Sequence, residues 1–311
     1  MQQVKVFVID KDGKSCLPTR SARARRLLRD GKAKLVTVVP FTIQLLRSIN
    51  NPVGSFIIGL DDGAKKVGVS IVNDKTNEVV FKGQVELRQD VKRCMSKRRN
   101  YRRTRRLRKL RYRQPRFDNR SGSKITPSQR CRKESSLRFI KNMMKRINII
   151  KVIVEEVSFN HAENKHGYWF SLVEIGKTFL RDQIKKLGLV YDSTFGYITK
   201  ENRLKLGLSK LHSNDAISIV CKNNPTISSL EWIIKPKRTK DRGSKKYVEK
   251  SGFRHYDVVK SKHRNKGIVI GSILGFKTNQ ISLRTNFSND FPVVYSKTKL
   301  LQRPSGLVYY Y

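Results

Sequence analysis

Three carboxylates stand at the ends of apolar runs in separate segments of the chain: Asp61, Glu155 and Asp215. Asp61 closes SFIIGLD, Glu155 closes KVIVE, and Asp215 falls in the first turn of the helical pattern LHSNDAISIVCK. Hydrolysing a phosphodiester needs divalent cations on both sides of the scissile phosphate, about 3.5–4 Å apart, to hold the attacking water and the leaving oxygen. Magnesium prefers hard oxygen ligands, so carboxylates must converge to bind it. His212 lies three residues before Asp215, one helical turn away on the same face. There it could position or deprotonate a water, or ligate metal. Each signal is weak singly. Asp61-Asp62-Gly63 is also a turn sequence, Glu155 is followed by Glu156 and a strand turns only one of them inward, and Asp215 is also an ordinary first-turn acid favoured by the helix dipole. Their common placement at element ends is what points to metal-dependent phosphodiester chemistry.

The elements around these residues can be read from the same chain. SFIIGLDDGAKKVGVSIVN reads as a β-hairpin, and EVVFKGQVEL supplies a third strand. KVIVEEVSFN, residues 151–160, is a fourth strand. An aspartate ending a central first strand, a glutamate on an adjacent strand and an aspartate opening a later helix is how a ribonuclease H-like sheet gathers its acids. Helical spacing predicts helices over 135–150, 170–187 and 211–222, and LVYDSTFGYITK reads as a strand with a loop. Residues 1–50 read as a small α+β module: strand VKVFVID, a turn at Asp12-Gly13, a helix over 22–29 capped by Ser21 and closed by Asp30-Gly31, then strands LVTVVP and FTIQLL. From Pro225 many short strands broken by Gly, Asn and Asp suggest a small barrel-like β unit.

Charge decides the class of partner. Sixty-eight Lys and Arg against 24 Asp and Glu give +44, a self-repulsion that a polyanion would cancel. Nucleic acid is the first expectation and an anionic membrane the second. No apolar run of about 20 residues exists and the N-terminus does not read as a signal peptide, so a soluble intracellular protein is expected. The four cysteines are scattered without a CxxC pair, which argues for reduced thiols and against structural zinc. The charge concentrates between Arg88 and Arg120, where 16 of 33 residues are basic. Without Gly, and without Pro before Pro115, the first twenty-odd residues can form one helix about 37 Å long at roughly 1.5 Å per residue. Its cations, Arg98, Arg99, Arg102, Arg103, Arg105, Arg106, Arg108, Lys109, Arg111, Arg113 and Arg116, fall on every face. A helix polar all round does not bury itself in a core. A phosphate backbone is the partner it suits, and a basic tail is the competing reading. Arg20, Arg23, Arg25, Arg26 and Arg29 near the N-terminus could grip phosphates too. Tyr101, Tyr112 and Phe117 could stack on splayed bases or merely pack.

These residues resemble the IscB group of transposon-encoded RNA-guided nucleases. LPTRSARARRLLRDGKAKLV is similar to that family's N-terminal PLMP module, and IIGLDDGAKKVGVSIV to its first RuvC motif with Asp61 in the catalytic place. The run from Arg88 through Pro115–Arg120 resembles the arginine-rich bridge helix. IVEEVSFN resembles the second RuvC motif with Glu155, and TKENRLKLGLSKLHSNDAISI the third with His212 and Asp215. The tail, with Arg254, Lys260, Lys262, Arg264 and Lys266 as candidate DNA contacts, is similar to the target-motif-interacting domain. Only 51 residues, 160–210, separate the second and third motifs, too few for the HNH nuclease of IscB proteins; this resembles the HNH-less IsrB branch. The resemblance implies an RNase H-like RuvC fold of α/β class, split in sequence. Its parts would be an N-terminal module over 1–52, the first RuvC segment over 53–87, the bridge helix over 88–120, the remaining RuvC segments over 121–224, and a mostly β C-terminal domain over 225–311. It further implies a nickase acting on the non-target DNA strand, with two Mg2+ ions held by Asp61, Glu155 and Asp215. The partners would be a guide RNA (ωRNA) and target double-stranded DNA bearing a flanking motif, in a monomeric ribonucleoprotein in a prokaryotic cytoplasm, without membrane contact. A guide-independent, structure-specific endonuclease and a non-catalytic RNA- or DNA-binding protein are the alternatives.

Overall fold

Two apolar strands joined by a tight turn nucleate the centre of the molecule. Apolar residues dominate the first and β-branched ones make up half of the second, as expected of strands covered on two faces. The computed structural model describes residues 4–49, 54–108, 111, 125–156, 172–221, 223–236, 249–285, 287–288, 290–304 and 306–310. In chain order the N-terminal module contains β1 (Lys5–Ile9), β2 (Ser15–Arg20), α1 (Ser21–Arg29), β3 (Ala33–Thr37) and β4 (Thr42–Leu45). Its sheet order is β2-β1-β4-β3. Ala24, Leu27 and Leu28 of α1 pack against Val6, Val8, Ile43 and Leu45. One local expectation is corrected. Ser21 is the first helical residue rather than the cap, because the chain enters α1 directly from β2 and Arg20 carries the extended backbone before it. β2 contains Pro18; as the sheet's edge strand it has a free side on which the missing N–H costs no ladder bond.

The middle of the chain supplies β5 (Phe56–Asp61), β6 (Lys66–Asn73), β7 (Glu78–Glu86), α2 (Val91–Leu107), α3 (Pro127–Met144), β8 (Ile149–Glu156), α4 (Leu172–Lys186), β9 (Val190–Phe195), α5 (Gly196–Lys205), α6 (His212–Val220), β10 (Thr226–Ile227) and β11 (Glu231–Pro236). β12 (Glu249–Lys250) and β13 (Phe253–Arg254) form a small hairpin. β14 (Val258–His263), β15 (Gly267–Phe276), β16 (Gln280–Arg284), β17 (Phe291–Val294) and β18 (Thr298–Gln302) form an antiparallel sheet in the order β17-β16-β15-β14-β18, and β19 (Leu307–Tyr310) ends the described chain.

The central sheet runs β19-β11-β7-β6-β5-β8-β9, with β10 attached to β7. β6 runs antiparallel to both β5 and β7, and β8 and β9 run parallel to β5. Three antiparallel strands followed by two parallel ones, in the order third-second-first-fourth-fifth, is the RNase H-like arrangement. β11 and β19 extend the sheet beyond β7, although both lie inside the stretch 225–311 expected to build a separate β unit.

Helices cover both faces. Leu137, Phe139, Ile140 and Met143 of α3, with Leu180 and Ile184 of α4, pack on Phe56, Ile58 and Leu60. Burying each such side chain contributes about 1.5–3 kcal/mol, so this layer holds the sheet. On the other face Ile217 and Cys221, in and just after α6, meet Val72 and Val79. α3 starts earlier than its apolar spacing suggests, with Pro127 at its first turn, and ends at Met144, where Ile149 is already in β8. The loop expected at the end of LVYDSTFGYITK is instead the start of α5. α2 stops at Leu107, seventeen residues in all, and buries none of its side chains. Cations four apart along it repel, and no packed face compensates.

Candidate active site

β5 alternates in a way that selects one of the two aspartates at its end. Phe56, Ile58 and Leu60 join the core under α3 and α4, so Gly59 and Asp61 face α6. Two glycines let α6 come close. A Cβ at Gly59 would lie 2.1 Å from the Ala216 carbonyl oxygen, and one at Gly68 would lie 1.8 Å from that of His212. The helix therefore rests on bare backbone of β5 and β6. Ser70 Oγ donates to the Ala216 oxygen at 2.7 Å and fastens the contact. His212 and Asp215, in the first turn of α6, are thereby brought to Asp61.

His212 Nδ1 lies 2.5 Å from Asp61 Oδ2. A carboxylate can only accept, so the ring donates from Nδ1 and keeps its basic nitrogen at Nε2. Glu155 arrives from the neighbouring strand. Leu60 pairs with Val154 in the parallel β5–β8 ladder, and Asp61 and Glu155 are each the next residue. Burial pushes the Asp61 carboxyl above the ordinary range; the charges of Asp215 and Asp62 add to the rise, and the His212 hydrogen bond opposes it. Burial likewise raises Glu155, reinforced by Asp61 and Asp215 and opposed by a hydrogen bond from Thr199. The four residues singled out in sequence thus share one electrostatic neighbourhood.

Their neighbours in sequence turn away. Asp62 is ion-paired with the buried Lys133 of α3, and Glu156 accepts a hydrogen bond from Tyr191 of β9. Both sit on the opposite side of the sheet from α6, as alternation requires.

Arg203 of α5 was not anticipated. Only 9% exposed, it places Nε 2.7 Å from Asp215 Oδ1, off the axis of a hydrogen bond, so the contact is ionic. A signal existed: Arg203 and His212 lie within the same third motif. Among the described residues no three His, Cys, Asp or Glu side chains are already gathered as a metal-ligand set, and Asp215 is held by Arg203 instead. The donor chemistry nevertheless fits a divalent cation. Three carboxylates without a thiol are hard oxygen donors, and two of them are raised by burial and further by the neighbouring acids, a repulsion that a cation would relieve.

The basic residues divide. Arg20, Arg23, Arg25, Arg26 and Arg29 are exposed on or beside α1, opposite its packed face. Arg98, Arg99, Arg102, Arg103, Arg106 and Arg108 are exposed along α2, and Arg105 is half-buried; Arg111 is exposed beyond its end. Lys109, Arg113, Arg116, Tyr112 and Phe117 lie outside the described residues. Arg254 is exposed but engaged by Glu249, Nε to Oε2 at 2.7 Å, so it is already paired. Among the described residues no helix is long and apolar enough to cross a membrane.

Comparison with known proteins gives one sequence family. A family model described as RRXRR protein matches residues 6–171, a span that holds β5, α2 and β8 and in which Arg102-Arg103-Thr104-Arg105-Arg106 spells the pattern. No curated protein matches the chain. Among solved structures, Thermus thermophilus RuvC in complex with Holliday junction substrate is similar at 13% identity and a TM-score of 0.32, over 53% of this chain and 90% of that one. A second Thermus thermophilus RuvC structure gives 13% and 0.31 with the same coverages. A ROK family transcriptional regulator, homolog of the E. coli MLC protein, gives 11% and 0.24, over 60% and 40%. Scores this low establish no shared fold, which rests here on the strand order itself.

Proposed function

The chain belongs to the RRXRR protein family, whose model spans more than half of it, and on that premise we propose that it is an RNA-guided DNA nickase of the IsrB type. The observation that carries this reading is the convergence of Asp61, Glu155, His212 and Asp215 on one face of an RNase H-like sheet, in a chain that also carries an unburied helix with nine basic residues among seventeen.

Asp61, Glu155 and Asp215 would hold two Mg2+ ions. Bound there, the metal supplies Lewis-acid polarisation of the scissile phosphate and neutralises charge on the attacking and leaving oxygens. His212, held through Nδ1 by Asp61, is oriented to take a proton from water at Nε2. Arg203 holds the Asp215 carboxylate in place and must share it once metal enters. α2 and the arginines of α1 would lie along phosphates of a guide–target duplex, contacts that position without reading sequence, while base pairing with the guide selects the target. The raised carboxyls of Asp61 and Glu155 must lose their protons to ligate, so metal affinity rises with pH.

The test is a matched supercoiled plasmid incubated with the protein–RNA complex in Mg2+. Conversion to the open circle, lost in Asp61→Ala with DNA binding retained, is the expected result. Undiminished nicking in that variant rejects the site. A preparation that co-purifies with no RNA yet cuts branched DNA rejects guidance by RNA.

A further inference from the structure

At the rim of the carboxylate cluster two large rings face solvent. Phe195 and Tyr197 are 47% and 69% exposed, and their rings stack in parallel with centroids 5.8 Å apart and planes inclined by 10°. Between them sits Gly196, whose Cβ, if present, would lie 2.9 Å from Glu155 Oε1. Thr199 hydrogen-bonds both the Phe195 carbonyl, at 3.3 Å, and the Glu155 carboxylate. The ring pair is therefore tied through one turn of backbone to a residue assigned to the cutting site. Further along α5, Lys200 and Leu204 follow Tyr197 by three and seven residues, on the same helical face, and both are exposed. Aromatic surface displayed in this way is spent neither on the core nor on the opposite face of the sheet.

We propose that Phe195 and Tyr197 form a stacking platform for an unpaired base of the DNA strand being cut, with Lys200 meeting an adjacent phosphate. The proposal rests on the nuclease reading above and adds what fixes the strand's register. Carboxylates and metal recognise any phosphate along a backbone equally. A base seated on a ring defines which phosphate lies over Glu155, and it does so for every base, because each has a π-face. The occupant is single-stranded, since in a duplex the bases are stacked on each other and are not offered to a protein ring. Charge favours this occupant over an apolar protein surface: the exposed Lys200 follows Tyr197 by one helical turn, on a chain of +44.

Two measurements test it on the full chain. First, a short single-stranded DNA carrying 2-aminopurine is added to the metal-free Asp61→Asn protein, where no cutting occurs. Stacking quenches the probe. Quenching is lost when Phe195 and Tyr197 are both changed to Leu, and is kept with Tyr197→Phe. Second, in the otherwise unaltered ribonucleoprotein the double Leu variant raises the apparent KM about tenfold and spreads the nick over neighbouring phosphodiesters, with a smaller change in kcat. Its melting temperature is unchanged, because both rings are exposed. Equal quenching in the Leu variant, a single unshifted nick, or quenching abolished by the protein's own RNA overturns the platform. Failure of the unaltered protein to nick at all strikes the nuclease reading alone, because the quenching measurement needs no catalysis.

Discussion

Replacing Gly68 by Ala puts the geometry of the site at stake with one methyl group. On backbone grounds the change should help: Gly in a strand interior is entropically costly, and Ala at a compatible position gains about 0.4–1 kcal/mol. The structure predicts the reverse. The new Cβ would lie 1.8 Å from the His212 carbonyl oxygen and 3.2 Å from Asp61 Cβ. The oxygen belongs to the backbone of α6 and cannot swing aside, so the helix must retreat by roughly 1.5–2 Å to reach ordinary contact. Overpacking of this kind costs about 1–3 kcal/mol, more than the entropic gain. A net loss of about 1–2 kcal/mol lowers the melting temperature by roughly 2–8 °C. The retreat also carries His212 and Asp215 away from Asp61, and a misplacement of about 1 Å costs roughly 100-fold in rate. Single-turnover nicking of a matched plasmid, read beside thermal melting, checks both numbers. Gly275→Ala is the control, since nothing lies within 4 Å of a Cβ there and its backbone needs no glycine. A Gly68→Ala protein that melts at or above the unaltered temperature and nicks at full rate would refute the docking of α6 described here.

Glu155→Gln is expected to stabilise the metal-free protein near neutral pH. The folded carboxyl titrates above its ordinary value of 4.5, so the native state keeps this proton longer than the unfolded chain, and stability falls as pH rises from that value through the raised one; the gap between variant and parent in melting scans should close in acid and open towards pH 7. Asp215→Asn leaves Arg203 buried without its counter-charge and should cost about 3 kcal/mol, whereas Arg203→Met with Asp215→Leu should recover most of it; equal losses in single and double variants in denaturant melts would contradict the pair. Changing Arg102, Arg103, Arg105 and Arg106 to Gln should leave melting unaltered, since α2 buries no residue, while the slope of log affinity for RNA against log salt falls by roughly one per lost phosphate contact. An unchanged slope would place the nucleic acid elsewhere.

What could be read from the chain follows from how locally each feature is encoded. The β5–β6 hairpin and the carboxylates at 61 and 155 were legible because apolar alternation ends abruptly in charge. Alternation also left open which of each acidic pair turns inward, and it took α3 and β9 to direct Asp62 to Lys133 and Glu156 to Tyr191. α5 was invisible because its apolar residues are too few to mark a face; it is held instead by its packing beside α6. Arg203 went unnoticed for the same reason. β11 and β19 join the central sheet through partners at great sequence distance, Trp232 opposite Gly83 and Ile233 opposite Tyr310, which no local pattern records. Gly59 and Gly68 read as weak points of strands, yet they are what admits the helix that brings His212 to Asp61.

The five-stranded C-terminal sheet is an excursion from the central one. The chain departs at Pro236 and returns at Leu307, and these two residues are antiparallel partners, so their Cα atoms stand roughly 5 Å apart. A loop whose two ends meet is exchangeable: any folded insert with adjoining termini can be spliced between β11 and β19 without moving β5, β8 or α6. The ground-plan thus separates the C-terminal sheet from the carboxylate cluster, and lets evolution or a protein engineer swap the first while leaving the second untouched.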